Sequence, residues 1–168
     1  MLKKCPNKKT LREFFDYLDG YLYWRVSTGG ELKGARAGCL DRRYGYIRIG
    51  FKGSDYFAHR LIWVWHFGAN ERFIDHKNQN KADNRIENLR PATKAHNEWH
   101  VTKRRHNTTG FKGVYRLKIK TPSPFWAYIT ANGRRRGLGC FKTAREAAIA
   151  YNAAAKKYHR KFACLNTI

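Results

Sequence analysis

Of the chain's 12 acidic residues, only Glu146 lies beyond residue 102. That asymmetry divides the chain. Residues 1–102 hold 19 basic and 11 acidic residues, net +8, whereas residues 103–168 hold 16 basic residues against one acid, net +15. A stretch so poor in carboxylates repels itself unless a polyanion neutralises it, and double-stranded nucleic acid is the leading partner. The run Lys103-Arg104-Arg105-His106 precedes Asn107-Thr108-Thr109-Gly110 and has the composition of a linker. Two units with different tasks are expected: residues 1–102 and residues 108–168, joined by a basic linker at 103–107. Hydrophobic residues make up 42% and aromatics 15% of the 168, enough for packed cores, so a disordered basic tail is excluded. No apolar run approaches the ~18–20 residues that cross a membrane. Met1-Leu2-Lys3-Lys4-Cys5-Pro6 lacks the apolar stretch of a signal peptide, and a soluble cytoplasmic protein is expected. Cys5, Cys39, Cys140 and Cys164 are far apart, which points to reduced thiols and away from a zinc site built on cysteine pairs.

The acid-poor segment has the pattern of three strands and a helix. Residues 113–120, 125–130 and 134–141 have strand character, and Asn132-Gly133 suits a type I′ hairpin turn, which needs positive φ at both central residues. Thr143 and Glu146 have the spacing of a capping box. The helix that follows places Ala147, Tyr151, Ala154 and Tyr158 on one stripe, with Ala148 and Ala155 beside it. In the second strand Phe125, Ala127 and Ile129 fit beneath that helix, while Trp126, Tyr128 and Thr130 point the other way. An aromatic, hydrogen-bonding face on the uncovered side, extended by Arg134, Arg135 and Arg136 and flanked by Arg116, Lys118 and Lys120, suits a DNA major groove. The register of the first strand leaves open whether Tyr115 or the Arg116/Lys118 set faces the bases.

The first unit is α+β in pattern. Residues 21–26 are aromatic and strand-like, residues 44–51 alternate, Gly53 marks a turn, and residues 61–67 form a buried helix. Residues 73–93 are crowded with Asn and Asp. Residues 73–76 can end a strand, residues 78–85 form a polar loop, and Thr93 can cap a helix through His96, Asn97 and His100. Such an arrangement supplies parts for phosphodiester hydrolysis. Asp75 and Asn97 offer hard oxygen ligands to a divalent metal, His76 is a base suited to neutral pH, and the metal stabilises charge on the phosphate and leaving oxygen. His59 is expected to be structural. His96 and His100 lack a third ligand of clear spacing and are expected to touch phosphate or pack.

Two resemblances sharpen these expectations. Ala58-His59-Arg60-Leu61, Asp75-His76, Asn84-Arg85-Ile86-Glu87-Asn88-Leu89 and Asn97 resemble the HNH (His-Me finger) nucleases of phage homing endonucleases. That resemblance implies a ββα-metal finger with His76 as general base, Asp75 and Asn97 as ligands of one divalent ion (Mg²⁺, with Mn²⁺ as the alternative), and Asn88 as the middle Asn supporting the loop. Asn84 is then structural. It also implies a phage protein acting in the host bacterial cytoplasm. A monomer without an obligate protein partner is expected. Gly110-Phe111-Lys112-Gly113-Val114-Tyr115, Trp126-Ala127-Tyr128-Ile129, Leu138 to Thr143, Glu146 to Ala154 and Leu165-Asn166 resemble an APETALA2-type DNA-binding domain. This second resemblance implies a three-stranded antiparallel sheet packed on one helix, with Lys112, Tyr115, Trp126, Tyr128, Thr130 and Arg135 at the DNA and Tyr151 near the backbone. The joint expectation is a site-specific, metal-dependent DNA endonuclease. Its alternative is a DNA-binding transcriptional regulator with an inactive finger.

If the charge division reflects function, DNA affinity falls steeply with salt, mostly through residues 108–168. Removing those residues should flatten the slope of log affinity against log salt, and an unchanged slope in a filter-binding titration contradicts the division.

Overall fold

The computed structural model describes residues 5–100 and 107–168, so most of the expected linker lies outside the described residues. Contacts divide the chain into two compact units, Met1–Thr93 and Lys94–Ile168.

The first unit opens with helix α1 (Lys8–Phe14), capped by the Asn7 side chain, which accepts from the Thr10 amide. It continues into an antiparallel hairpin, β1 (Phe15–Leu18) and β2 (Tyr21–Trp24). Three strands then form a sheet in the order β3 (Cys39–Asp41), β4 (Tyr46–Phe51), β5 (Ser54–Phe57). The alternation expected for residues 44–51 is present in β4, where Ile47, Ile49 and Phe51 are buried and Arg48 and Gly50 are exposed. Strand β5 runs directly into helix α2 (Ala58–Phe67), which ends at Gly68 in the left-handed conformation. Leu61, Ile62 and Val64 of α2 join Leu11, Phe15, Leu22, Trp24, Ile49 and Phe51 in one core. A second hairpin pairs β6 (Phe73–His76) with β7 (Leu89–Ala92) and holds the Asn-rich loop between them.

The tip of the first hairpin fixes that loop. Gly20, at φ +86°, comes so close that a Cβ there would sit 2.9 Å from the Arg85 amide nitrogen. Beside it the Ile86 amide donates to the Tyr17 hydroxyl at 3.0 Å.

The second unit contains α3 (Lys94–His100), β8 (Val114–Arg116), β9 (Phe125–Ala131), β10 (Arg134–Phe141) and α4 (Ala144–His159). The sheet is antiparallel in the order β10-β9-β8, and the Asn132-Gly133 turn has positive φ at both residues. Both halves of the Thr143/Glu146 capping box are made. Ala147, Ala148, Tyr151, Ala154 and Ala155 are buried against the sheet, as the alanine stripe predicts. The first strand is shorter than residues 113–120. It ends at Arg116, and the segment before β9 contains Pro122 and Pro124, which cannot donate to a ladder.

Gly113 makes the helix-to-sheet spacing possible. It has φ +74°, and a Cβ there would overlap the Tyr151 ring and stand 2.7 Å from the Tyr128 carbonyl oxygen. Gly113→Ala should therefore destabilise the second unit by about 3 kcal/mol, from the left-handed backbone and the overpacking together. A denaturant titration followed by Trp fluorescence checks this, and a change below about 0.5 kcal/mol contradicts it.

Candidate active site

Strand β6 ends on Asp75 and His76, side by side in sequence and on opposite faces. Register places Asp75 across from Arg90 and His76 across from Leu89. The Arg90 guanidinium therefore meets the Asp75 carboxylate directly, with Nε at 2.8 Å and the terminal nitrogen at 2.6 Å from the same oxygen, Oδ2. Both side chains are 11% exposed, so this pair is shielded from salt far more than a surface pair.

His76 faces inward and is buried. Its Nε2 lies 2.9 Å from Oδ1 of Asn84, an asparagine only 1% exposed. Because Oδ1 can only accept, this contact requires a proton on Nε2 and leaves the lone pair of the neutral ring on Nδ1. The His59 ring stands edge-on to His76 at 5.1 Å, and Tyr46 of β4 lies at 6.0 Å from His76 and 5.1 Å from His59. Burial pushes the His76 pKa below its ordinary value, against the opposing effects of Asn84, Asp75 and Asp83. His59 is pushed down further, first by burial and then by the neighbouring His76 and Arg60.

The loop between the strands is cross-braced by its own amides. Asn88 accepts from the Asn78 amide at 3.0 Å through Oδ1, and through Nδ2 donates to Asn78 Oδ1 at 3.0 Å and to the Asp83 carbonyl at 2.7 Å. Asn78 donates to Asp83 at 2.6 Å, and Arg85 grips the same carboxylate at 2.8 Å, which holds the Asp83 pKa down at about 2. The geometry divides labour between two asparagines: Asn88 shapes the loop, and Asn84 touches His76. The structural role expected of Asn84 takes the form of this buried contact with His76. Four asparagines lie between residues 78 and 88, and no spacing rule tells which one turns inward.

In the second unit, Asn97 lies on α3, and its Oδ1 is buried without a hydrogen-bond partner among the described residues. Trp99 stacks on His159 at 4.5 Å, and His96 stacks on Phe162 at 3.9 Å. His96 thus packs on an aromatic ring.

The uncovered face of the second sheet is aromatic. Tyr115 is paired with Trp126, Trp126 stacks on Tyr128 at 5.2 Å, and the Arg135 guanidinium lies 4.5 Å over the Tyr128 ring. Thr130 pairs with Arg135 in register and shares this side. Several other expected contacts are placed differently. Arg116 is paired with Phe125, and Arg134 with Ala131, so both hold register positions on the opposite side from Trp126. Lys118 lies beyond the end of β8 and is exposed. Lys112 turns into its own unit, where Nζ donates to the Trp99 carbonyl at 2.5 Å and burial lowers its pKa. Tyr151 is buried at 2% exposure beneath Gly113, away from any backbone a ligand could present.

Residues 56–99 match the family described as HNH endonuclease. No curated protein and no solved structure matches the chain. The family match covers the end of β5, α2, β6, the cross-braced loop, β7 and most of α3.

Burial of His59 and His76 has a consequence for stability. Both folded-state pKa values lie below the ordinary value of 6.5, so below that pH the unfolded chain binds protons that the folded chain refuses. Stability should therefore fall as pH drops below about 6.5, down to the depressed folded values. His59→Phe keeps a ring against Phe57 and removes one titrating group. Urea midpoints at about pH 7.5 and about pH 5 should differ less in this variant than in wild type.

Proposed function

We propose that this chain is a site-specific, metal-dependent DNA endonuclease of the HNH homing type, in which a basic APETALA2-type sheet module supplies target affinity. The observation that carries the reading is His76, held at the end of β6 by a fully buried Asn84 within the segment that matches the HNH endonuclease family. The contact fixes the tautomer, so the Nδ1 lone pair is the base. As the water oxygen forms its bond to phosphorus and the bond to the leaving oxygen breaks, the water proton passes to His76. The depressed pKa keeps that lone pair unprotonated at neutral pH.

Asp75 in the first unit and Asn97 in the second each offer an oxygen of the kind a hard divalent cation takes. The buried Oδ1 of Asn97 lacks a partner among the described residues, and Asp75 offers a carboxylate. By the resemblance to HNH nucleases, Asp75 and Asn97 would hold Mg²⁺, or Mn²⁺ in its place, and the ion would stabilise negative charge on the phosphate and the leaving oxygen. Asn88 keeps the loop, and with it Asn84, in the shape that orients His76.

In the second unit, Tyr115, Trp126, Tyr128, Thr130 and Arg135 share one open face suited to base edges and sugar-phosphate. Joining this module to the nuclease segment raises the effective concentration of the cut site.

One observation favours the alternative, a DNA-binding regulator with an inactive finger. Arg90 engages Asp75 Oδ2 through two nitrogens and competes with a cation for that carboxylate.

Incubating the protein with DNA from around its own gene, with Mg²⁺ or with chelator, separates the two readings. Mg²⁺-dependent cleavage supports the nuclease, and His76→Ala should then slow it by about 10²–10⁴-fold with DNA affinity unchanged. Cleavage by His76→Ala at the wild-type rate overturns the assignment of the base. Specific binding with no product in Mg²⁺ or Mn²⁺ favours the regulator.

A further inference from the structure

The wall facing His76 is supplied by the three-stranded sheet, and its key side chain is Tyr46. The ring is wedged among three others, 4.9 Å from Phe57, 5.1 Å from His59 and 6.0 Å from His76. Aromatic packing on this scale explains the ring but not the hydroxyl. Among the described residues that hydroxyl makes no hydrogen bond, although the side chain is half-buried. Its oxygen is not among the buried atoms left without a partner, so it can be reached from outside, and a phenylalanine would fill the ring's place without offering that donor. A phenol keeps its proton at neutral pH, so the hydroxyl is a hydrogen-bond donor there.

A cation completes the wall. Lys81 stands 4.8 Å over the Tyr46 ring, anchored by its Nζ donating to the Tyr44 carbonyl at 3.1 Å. Its side chain is exposed, and its charge is felt by His76. A protonated phenol and an ammonium on one side of a general base make a place for an anion.

We propose that Tyr46 is a further catalytic residue, its hydroxyl donating a hydrogen bond to a non-bridging oxygen of the phosphodiester under attack. This rests on the nuclease reading of the same site. The bond strengthens as charge accumulates on that oxygen, so its loss acts on turnover more than on binding.

The test uses full-length protein and Tyr46→Phe, which keeps every ring contact. Single-turnover cleavage at the mapped site should slow by about 10²-fold, with DNA affinity and melting temperature unchanged. A DNA with one phosphorothioate at the cut site, assayed in Mn²⁺ as each stereoisomer, then locates the contact. Sulfur is a poor acceptor, so for one stereoisomer the wild-type advantage over Tyr46→Phe should collapse. Cleavage by Tyr46→Phe at the wild-type rate overturns the proposal while leaving the nuclease reading intact. A penalty equal on both stereoisomers also overturns it, because a merely structural role gives that result. A wild-type protein that cuts no DNA overturns both.

Discussion

The hydrogen bond between His76 Nε2 and Asn84 Oδ1 is the contact on which the first unit's site depends. Neither partner can be solvated in its place, so each must satisfy the other. Keeping Asn84 there requires the loop around it to be rigid, and the chain supplies that rigidity twice. From within, Asn88 and Asn78 tie residues 78, 83 and 88 together. From outside, the β1–β2 hairpin presses Gly20 and Tyr17 onto residues 85 and 86. The aromatic core beneath the hairpin thus braces the loop that presents Asn84 to His76.

The second unit solves a different problem, that of bringing a helix close to a narrow sheet without covering both faces. Alanines on α4 and a side-chain-free Gly113 let the helix approach until Tyr151 lies under the backbone. All the apolar burial falls on one side, and the Trp126–Tyr128 stack with Arg135 is left on the other. The bulge between Gly137 and Gly139 shifts the register of β10 within this face. Helix α3, which carries Asn97, has its ring stacks with Phe162 and His159 in this unit, although residues 56–99 match one family. A boundary of similarity and a boundary of packing need not coincide, since the first follows ancestry and the second follows buried area.

Much of this was legible in the chain itself. The capping box, the Asn132-Gly133 turn, the alternation in residues 46–51 and the alanine stripe are local patterns whose geometry follows from helix and strand periods. The sequence by itself also placed His76 beside Asp75 within an Asn-rich loop and left residues 103–168 with a single carboxylate. Tertiary structure decided everything that depends on which polar group turns inward. It chose Asn84 over its neighbours as the partner of His76, paired Asp75 with Arg90 across the hairpin, and set Tyr46 against the site. It buried Tyr151, tied the Lys112 ammonium to the Trp99 carbonyl, and put Arg116 and Arg134 out of register with Trp126. Each of these outcomes is fixed by residues distant in sequence competing for the same buried space, and no local period carries that information.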